Sequence, residues 1–349
     1  VTGSALFAHA GFFLFLACIS ALLTLIMVRR VRIMDIPNDR SSHSVPTPKS
    51  GGVALVATFF FGSFWVYWVA NITRISDFHF FGFMICGALL AVVSFVDDIT
   101  NKSFRFKIAA QTVCATFVLV ADLVIRHANI PLIGIVELGL VAYPLTFVWL
   151  LGLINTYNFM DGLDGLAGGV GVIASGVLAV IAFREQSYFV YISSLILCAG
   201  ILGFLVFNIS PARIFMGDIG SAFIGFSFAM LAVIGASYDR GHLNFFLVPL
   251  LLFHFIFDTA FTFFRRLLNG ENVLSPHRTH VYQLLNRLGN SHKRVSMYYY
   301  AATAIQGVAA WILIGLNSSA RPWVFLPFFV VYLIIASVTV RHARKRGVI

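Results

Sequence analysis

Long apolar segments recur along the whole of this chain, with only short polar stretches between them, and that pattern leaves few folds open. A helix needs roughly 17–25 apolar residues to cross a bilayer. Windows of that kind fall near 6–28, 51–70, 79–96, 107–125, 139–155, 167–183, 188–207, 219–237, 244–264, 296–316 and 322–340 of the 349 residues. In hydrocarbon every backbone polar group must be paired within the protein, which helices achieve segment by segment. The expectation is an all-α polytopic integral membrane protein of about eleven transmembrane helices. Pro131 and Pro144 blur the start of the fifth span, and the ninth is the other irregular one, so the count is ten if either is miscounted. Residues 130–138 read as a short external hairpin or a re-entrant piece.

Composition agrees, with 59% hydrophobic and 11% charged residues, which excludes an ordinary soluble domain. Cys18, Cys86, Cys114 and Cys198 lie inside apolar runs without metal-site spacing, so they read as core residues. The net charge of +10 has no basic, aromatic-laced soluble domain to carry it, so no nucleic-acid partner is expected. Orientation explains it better. With the spans above, 29–50, 97–106, 156–166, 208–218, 265–295 and 341–349, with Lys107 at the boundary, hold nineteen lysines and arginines, and the opposing loops hold five: Arg74, Arg126, Arg184, Arg240 and Arg321. Positive charge marks the cytoplasmic side. The N-terminus is therefore expected in the periplasm and the C-terminus in the cytoplasm, with 29–50 and 265–295 as the main cytoplasmic loops of a single domain over 1–349. Arg29-Arg30 directly follow the first span, which reads as an uncleaved anchor.

On that face the polar residues collect. Residues 155–169 read Asn-Thr-Tyr-Asn-Phe-Met-Asp-Gly-Leu-Asp-Gly-Leu-Ala-Gly-Gly, so Asn155, Asn158, Asp161 and Asp164 recur every third residue and would share one helical stripe. The plain alternative is a glycine-rich loop whose carboxylates stay wet. Asp97-Asp98 ends the third span and Asp218 opens the eighth. Each alone could be a capped helix end, but three acidic clusters at helix ends on one face are more than capping needs. Adjacent carboxylates repel and ask for a cation. Oxygen ligands without a Cys/His cluster suit Mg²⁺ or Mn²⁺, together with substrate phosphates. Lys49, Arg105, Lys107 and the Ser275-Pro-His-Arg-Thr-His-Val-Tyr-Gln loop supply the positive partners a pyrophosphate would use. Lys107 could equally be a snorkelling residue at the lipid boundary. Asp258, inside the ninth span, is either functional or an ion-pair partner of Arg265-Arg266.

Six pieces stand in order: Ser-Ser-His-Ser-Val-Pro-Thr-Pro-Lys-Ser-Gly-Gly (41–52), Phe-Val-Asp-Asp (95–98), Phe-Lys-Ile-Ala-Ala-Gln (106–111), Asn-Thr-Tyr-Asn-Phe-Met-Asp-Gly-Leu-Asp-Gly (155–165), Phe-Met-Gly-Asp-Ile-Gly-Ser (215–221) and Pro-His-Arg-Thr-His-Val-Tyr-Gln (276–283). Together they resemble the polyprenyl-phosphate N-acetylaminosugar-1-phosphate transferases. The resemblance implies a Mg²⁺-dependent enzyme of the bacterial inner membrane with its active site facing the cytoplasm. The phosphate of undecaprenyl phosphate would attack the β-phosphorus of a UDP-N-acetyl sugar and release UMP. It implies catalytic roles for Asp97, Asp98, Asp161 and Asp218, with Asn158 and Asp218 as metal ligands. Asp161, Leu163, Asn208 and Phe215 would line the nucleotide pocket, beside Asn155 and Asp164. Lys49, Lys107, His277, Arg278 and His280 would meet phosphates. A homodimer is left open.

Arg278 and Thr279 interrupt the run of histidines found in the branch that makes the first peptidoglycan lipid intermediate. The chain looks more like the branch that initiates O-antigen, with a lean toward a broad or 6-deoxy donor. Asn101 stands where a third carboxylate would complete an Asp-Asp-x-x-Asp motif. The rival from another class is a secondary transporter, which would place acids mid-span in related halves. A membrane scaffold would have no use for clustered carboxylates.

Overall fold

The computed structural model describes all residues except 1–2, 31–32, 37–44, 71–74, 101–103, 240, 274 and 276. Residues 41–44 of the first motif, Arg74, Arg240, Asn101 and Pro276 therefore lie outside the described residues. Every expected span coincides with helix. The helices are α1 (Gly3–Arg30), α2 (Gly52–Val69), α3 (Asp77–Thr100), α4 (Phe104–Val120), α5 (Ala142–Phe159), α6 (Leu166–Arg184), α7 (Tyr188–Asn208), α8 (Gly217–Ser237), α9 (Leu247–Leu251), α10 (Phe253–Leu268), α11 (Val281–Arg287), α12 (His292–Ile314) and α13 (Phe325–Lys345). Among the described residues nine helices are long and apolar enough to cross a membrane. The two expected spans that fall short do so for visible reasons. α4, with 17 residues, stands at the lower limit of length for a crossing, and the ninth is broken at Leu252 into α9 and α10.

α8 is the axis. Nearly all of it is buried, while the outer helices α1 and α13 leave most of their surface bare. It packs against α5, α3, α2 and α7. Where lipid is as apolar as the side chains, close packing takes over from the hydrophobic effect as the driving force. Gly52 of α2 shows how close: a Cβ there would sit 2.4 Å from the Gly220 nitrogen of α8. Phe59 fills the space alongside, edge-on to Phe83 at 5.9 Å and to Phe223 at 5.2 Å.

Two small antiparallel pairs cap the bundle. β1 (Met34–Asp35) with β2 (Thr47–Pro48) lies at the end where α2 and α8 begin. β3 (His127–Ile130) with β4 (Gly134–Glu137) is the hairpin between α4 and α5, which decides the 130–138 stretch in favour of a hairpin. The expected four-residue polar stripe is corrected: α5 ends at Phe159, so Asn155 and Asn158 are helical while Asp161 and Asp164 sit in the following turn. Gly162 and Gly165 favour that break, and Gly165 adopts φ +73° at the start of α6.

Candidate active site

The segment before α2 is stitched to the segment before α8. Phe215 N–H donates to the Pro48 carbonyl (2.8 Å), Gly51 N–H to Phe215 O (2.9 Å) and Gly52 N–H to Met216 O (2.8 Å). This fixes Lys49 beside the start of α8, within electrostatic reach of Asp98 and Asp218. Gly217 turns the chain with φ +73°. A side chain there would collide with Asp98, whose Oδ2 is 2.6 Å from the Cβ position. Through that gap Asp98 reaches two backbone N–H groups at the start of α8, those of Asp218 (3.2 Å) and Ile219 (3.3 Å). A carboxylate at a helix N-terminus satisfies orphan donors and opposes the helix dipole. Asp98 thus holds Asp218 in place from the backbone side.

Asp97, its neighbour, points elsewhere. Its Oδ2 pairs with Lys107 Nζ at 2.9 Å, and the same ammonium reaches Asp218 Oδ2 at 2.6 Å. Lys107 is therefore a bridge between two carboxylates, not a residue snorkelling to the lipid boundary. Asn158 Nδ2 completes the group, donating to Asp218 Oδ1 and to Ser221 Oγ, both at 2.9 Å. An amide pair one turn deeper sets the register of α4 on α5: Asn155 Nδ2 donates to Gln111 Oε1 at 2.7 Å. Asn155 is committed to that contact and to the Leu151 carbonyl (2.8 Å).

Among the described residues no group of three or more His, Cys, Asp or Glu side chains forms a metal cage. The donor set is nonetheless suited to a hard cation. Asp97 Oδ1 is buried without any hydrogen-bond partner, and Asn158 uses its amide nitrogen inward, which leaves its carbonyl oxygen for another partner. Carboxylate and carboxamide oxygens are what Mg²⁺ takes. Asp161 lies half-buried beside this group. Burial, then the nearby Asp218 and Asp98 carboxylates, pushes its carboxyl well above the ordinary range.

The remaining expected residues fall into two sets. Asp164 accepts from His292 Nδ1 (3.2 Å) and from Ala212 N–H (3.2 Å). Burial opposes its ionisation, but the His292 bond holds its carboxyl below the usual range. Asn208 is 3% exposed, with its oxygen accepting from Gly165 N–H (3.1 Å) and its nitrogen donating to Ile214 O (2.9 Å). Leu163 is buried and Phe215 half-buried at the lip of α8. Asp164 and Asn208 thus tie the α5–α6 turn to its surroundings.

His277, Arg278 and His280 lie on the loop before α11, and Asp258 fixes that loop. Its carboxylate accepts from Val281 N–H (2.9 Å), Tyr282 N–H (3.1 Å), Tyr299 Oη (2.9 Å) and His280 Nδ1 (3.2 Å). Arg266 pairs with Glu271 (2.9 Å) and not with Asp258. Tyr282 then reaches across to donate to the Phe159 carbonyl at 2.9 Å. A Cβ on Gly162 would lie 2.1 Å from that hydroxyl. Sequence reasoning missed Gln111, Ser221 and Tyr282 as individual residues, though all three stand inside quoted motifs and Gly162 marks where Tyr282 enters.

Fold and site define a class: a polytopic helical membrane protein with a carboxylate–lysine–carboxamide centre where α3, α4, α5 and α8 meet. Comparison with known proteins narrows it. The profile described as "Glycosyl transferase family 4" matches residues 80–236. A probable undecaprenyl-phosphate N-acetylglucosaminyl 1-phosphate transferase of Bacillus subtilis is 32% identical over 331 residues, 91% of this chain and 88% of its own. An undecaprenyl-phosphate alpha-N-acetylglucosaminyl 1-phosphate transferase of Yersinia pestis is 26% identical, covering 90% and 86%. A phospho-N-acetylmuramoyl-pentapeptide-transferase of Latilactobacillus sakei is 31% identical over 54% of this chain and 61% of its own. The chain belongs to glycosyl transferase family 4, among the polyprenyl-phosphate aminosugar-1-phosphate transferases.

Proposed function

We propose that the chain transfers an N-acetylaminosugar 1-phosphate from its UDP-sugar to undecaprenyl phosphate, giving the undecaprenyl-pyrophosphoryl sugar and UMP. The reaction would take place at the cytoplasmic face of the inner membrane and open the assembly of O-antigen or a related glycan. The observation that carries this reading is Lys107 held between Asp97 and Asp218 at 2.9 and 2.6 Å, with Asn158 behind. Phosphoryl transfer asks chiefly for positioning and charge neutralisation, and alternating carboxylates and cations at a helix start offer both. A phosphate oxygen of the lipid would form the new P–O bond to the β-phosphorus while the bond to UMP breaks.

Asp218 and Asn158 would hold Mg²⁺, which when bound supplies neutralisation of pyrophosphate charge. Asp97, whose second oxygen is unpaired, would orient the acceptor phosphate or hold its proton. Asp98 is committed to the start of α8 and supports the site from behind. Lys107 and Lys49 would meet the phosphates, and Phe215 would offer its ring to uracil. The N-acetylglucosaminyl names of two long relatives favour UDP-N-acetylglucosamine as donor. The lean toward a 6-deoxy sugar rests on residues 277–283 alone. The shorter match to a phospho-N-acetylmuramoyl-pentapeptide-transferase makes that donor the second one to try.

The test is UMP release by purified protein with undecaprenyl phosphate, Mg²⁺ and a panel of UDP-sugars, beside Asp218→Ala. Release that needs lipid, metal and Asp218 supports the reading, and the best donor identifies the branch. Folded protein that releases no UMP with any donor overturns it.

A further inference from the structure

We propose a second site at the opposite end of the bundle, which binds a phosphate-bearing anion: the headgroup of an acidic phospholipid or free phosphate. Its place is set by α8, which begins at the carboxylates and runs for 21 residues, from Gly217 to Ser237. At 1.5 Å per residue that is about 30 Å, the thickness of a bilayer's hydrocarbon. There a cavity of about 410 Å³ is lined by Arg126, His127, Asn129, His242, Asn244 and Arg321, among others. No carboxylate lines it among the described residues.

Three connections far apart in sequence converge here: the α4–α5 hairpin, the α8–α9 loop and the turn before α13. Arginines at helix ends commonly just anchor a span. Two observations set these apart. Both guanidinium groups are held in place: Arg126 by an ion pair with Asp122, which also accepts from Tyr143 Oη at 3.0 Å, and Arg321 by donating Nε to Leu316 O at 3.0 Å. They also border a concavity, with two histidines and two carboxamides, and do not simply project outward. Asp122 offsets Arg126, and Glu137 stands 3.7 Å from His127 while remaining 87% exposed. The pocket keeps the charge of Arg321 and a surplus of donors, which suits phosphate oxygens. Beside it the hairpin tip exposes Leu132 (84%) and Ile133 (71%). Apolar residues so placed suit a hairpin lying against lipid, where headgroup phosphates are at hand.

The experiment titrates the purified full chain in neutral detergent with phosphatidylglycerol, phosphatidylcholine or inorganic phosphate, with binding read by native mass spectrometry. The variants are Arg126→Gln/Arg321→Gln and Asn129→Glu. Each interfacial cation contributes to anionic-lipid affinity, so the double variant should bind phosphatidylglycerol on the order of tenfold more weakly, with phosphatidylcholine unchanged. Asn129→Glu adds a carboxylate to the wall without deleting a cation, and should weaken binding several-fold. It decides the matter alone if the double variant does not fold. Variant-sensitive binding of inorganic phosphate, with the two lipids bound alike, would assign the site to free phosphate. Phosphatidylglycerol and phosphate affinities within twofold of wild type in folded Asn129→Glu would overturn the proposal.

Discussion

Asp218 and Asp258 are both carboxylates among packed helices, and both have a cationic or protonatable partner, yet they are satisfied in opposite ways. Asp258 is 2% exposed and accepts from two backbone N–H groups, a tyrosine, a histidine and, at 3.2 Å, Thr262 Oγ1. Every lone pair it has is used. Around Asp218 the account does not close: Lys107 must serve two carboxylates, Asp97 keeps a buried oxygen with no partner, and Asp161 is pressed by its acidic neighbours. A saturated buried charge is a fastener. An unsaturated cluster is built to be completed by something else. The same residue type thus does structural work beneath the 277–283 loop and, on the function proposed above, would face a ligand at the start of α8.

Substitution should separate the two. Asp218→Ala is expected to lower UMP release by roughly a thousandfold or more, the scale at which lost charge stabilisation is felt in transfer reactions. Its unfolding midpoint in micelles should stay near wild type, since Lys107 keeps Asp97. Near-wild-type activity would break the comparison at its functional end. Asp258→Ala should do the reverse. Removing one partner from a buried charged network costs roughly 3–5 kcal/mol, so a large drop in the unfolding midpoint is expected, with the surviving folded fraction still turning over. An unchanged midpoint would show that Asp258 is no fastener.

A smaller effect tests how the fastener reaches the site. Gly162→Ala would place a methyl 2.1 Å from the Tyr282 hydroxyl, an overpacking that costs roughly 1–3 kcal/mol. The same change in a Tyr282→Phe background, where the next ring atom is 3.1 Å away, should cost less. Equal cost in both backgrounds would mean that Tyr282 does not bear on the turn.

Apolar run length alone placed the spans, because hydrocarbon imposes one solution on any long segment without polar groups. Its signal is weakest at α10, which carries Asp258, Arg265 and Arg266, and at the short α4. The acidic centre was legible as residue types at helix ends, since Asp97, Asp98, Asn158 and Asp218 each stand at a visible boundary. The pairing was not. Nothing local tells that Asp98 turns toward backbone while Asp97 turns toward Lys107, because that depends on Gly217 opening a gap 119 residues away in sequence. Asn208 and Asp164 read as pocket residues for the same reason: a polar side chain in a motif looks alike whether it faces a ligand or a neighbouring turn.

The subtlest expected effect concerns His277, which shares a loop with His280 but has none of its carboxylate support. Burial, then His280, Arg266 and Arg265, pushes the His277 imidazole down to about 4. Thr279 N–H also donates to its Nδ1 at 3.4 Å, which favours the neutral ring. An unfolded histidine titrates near 6.5, so the folded chain binds fewer protons between those values and loses stability as pH falls from about 6.5 toward 4. Above 6.5 the contribution is flat. His277→Gln should therefore leave stability unchanged at pH 7.5 and lessen the loss on acidification, read as unfolding midpoints across that window. Identical slopes for wild type and variant would mean that His277 already ionises in the folded chain. The contrast between the saturated and the open centre would then not extend into the loop that joins them.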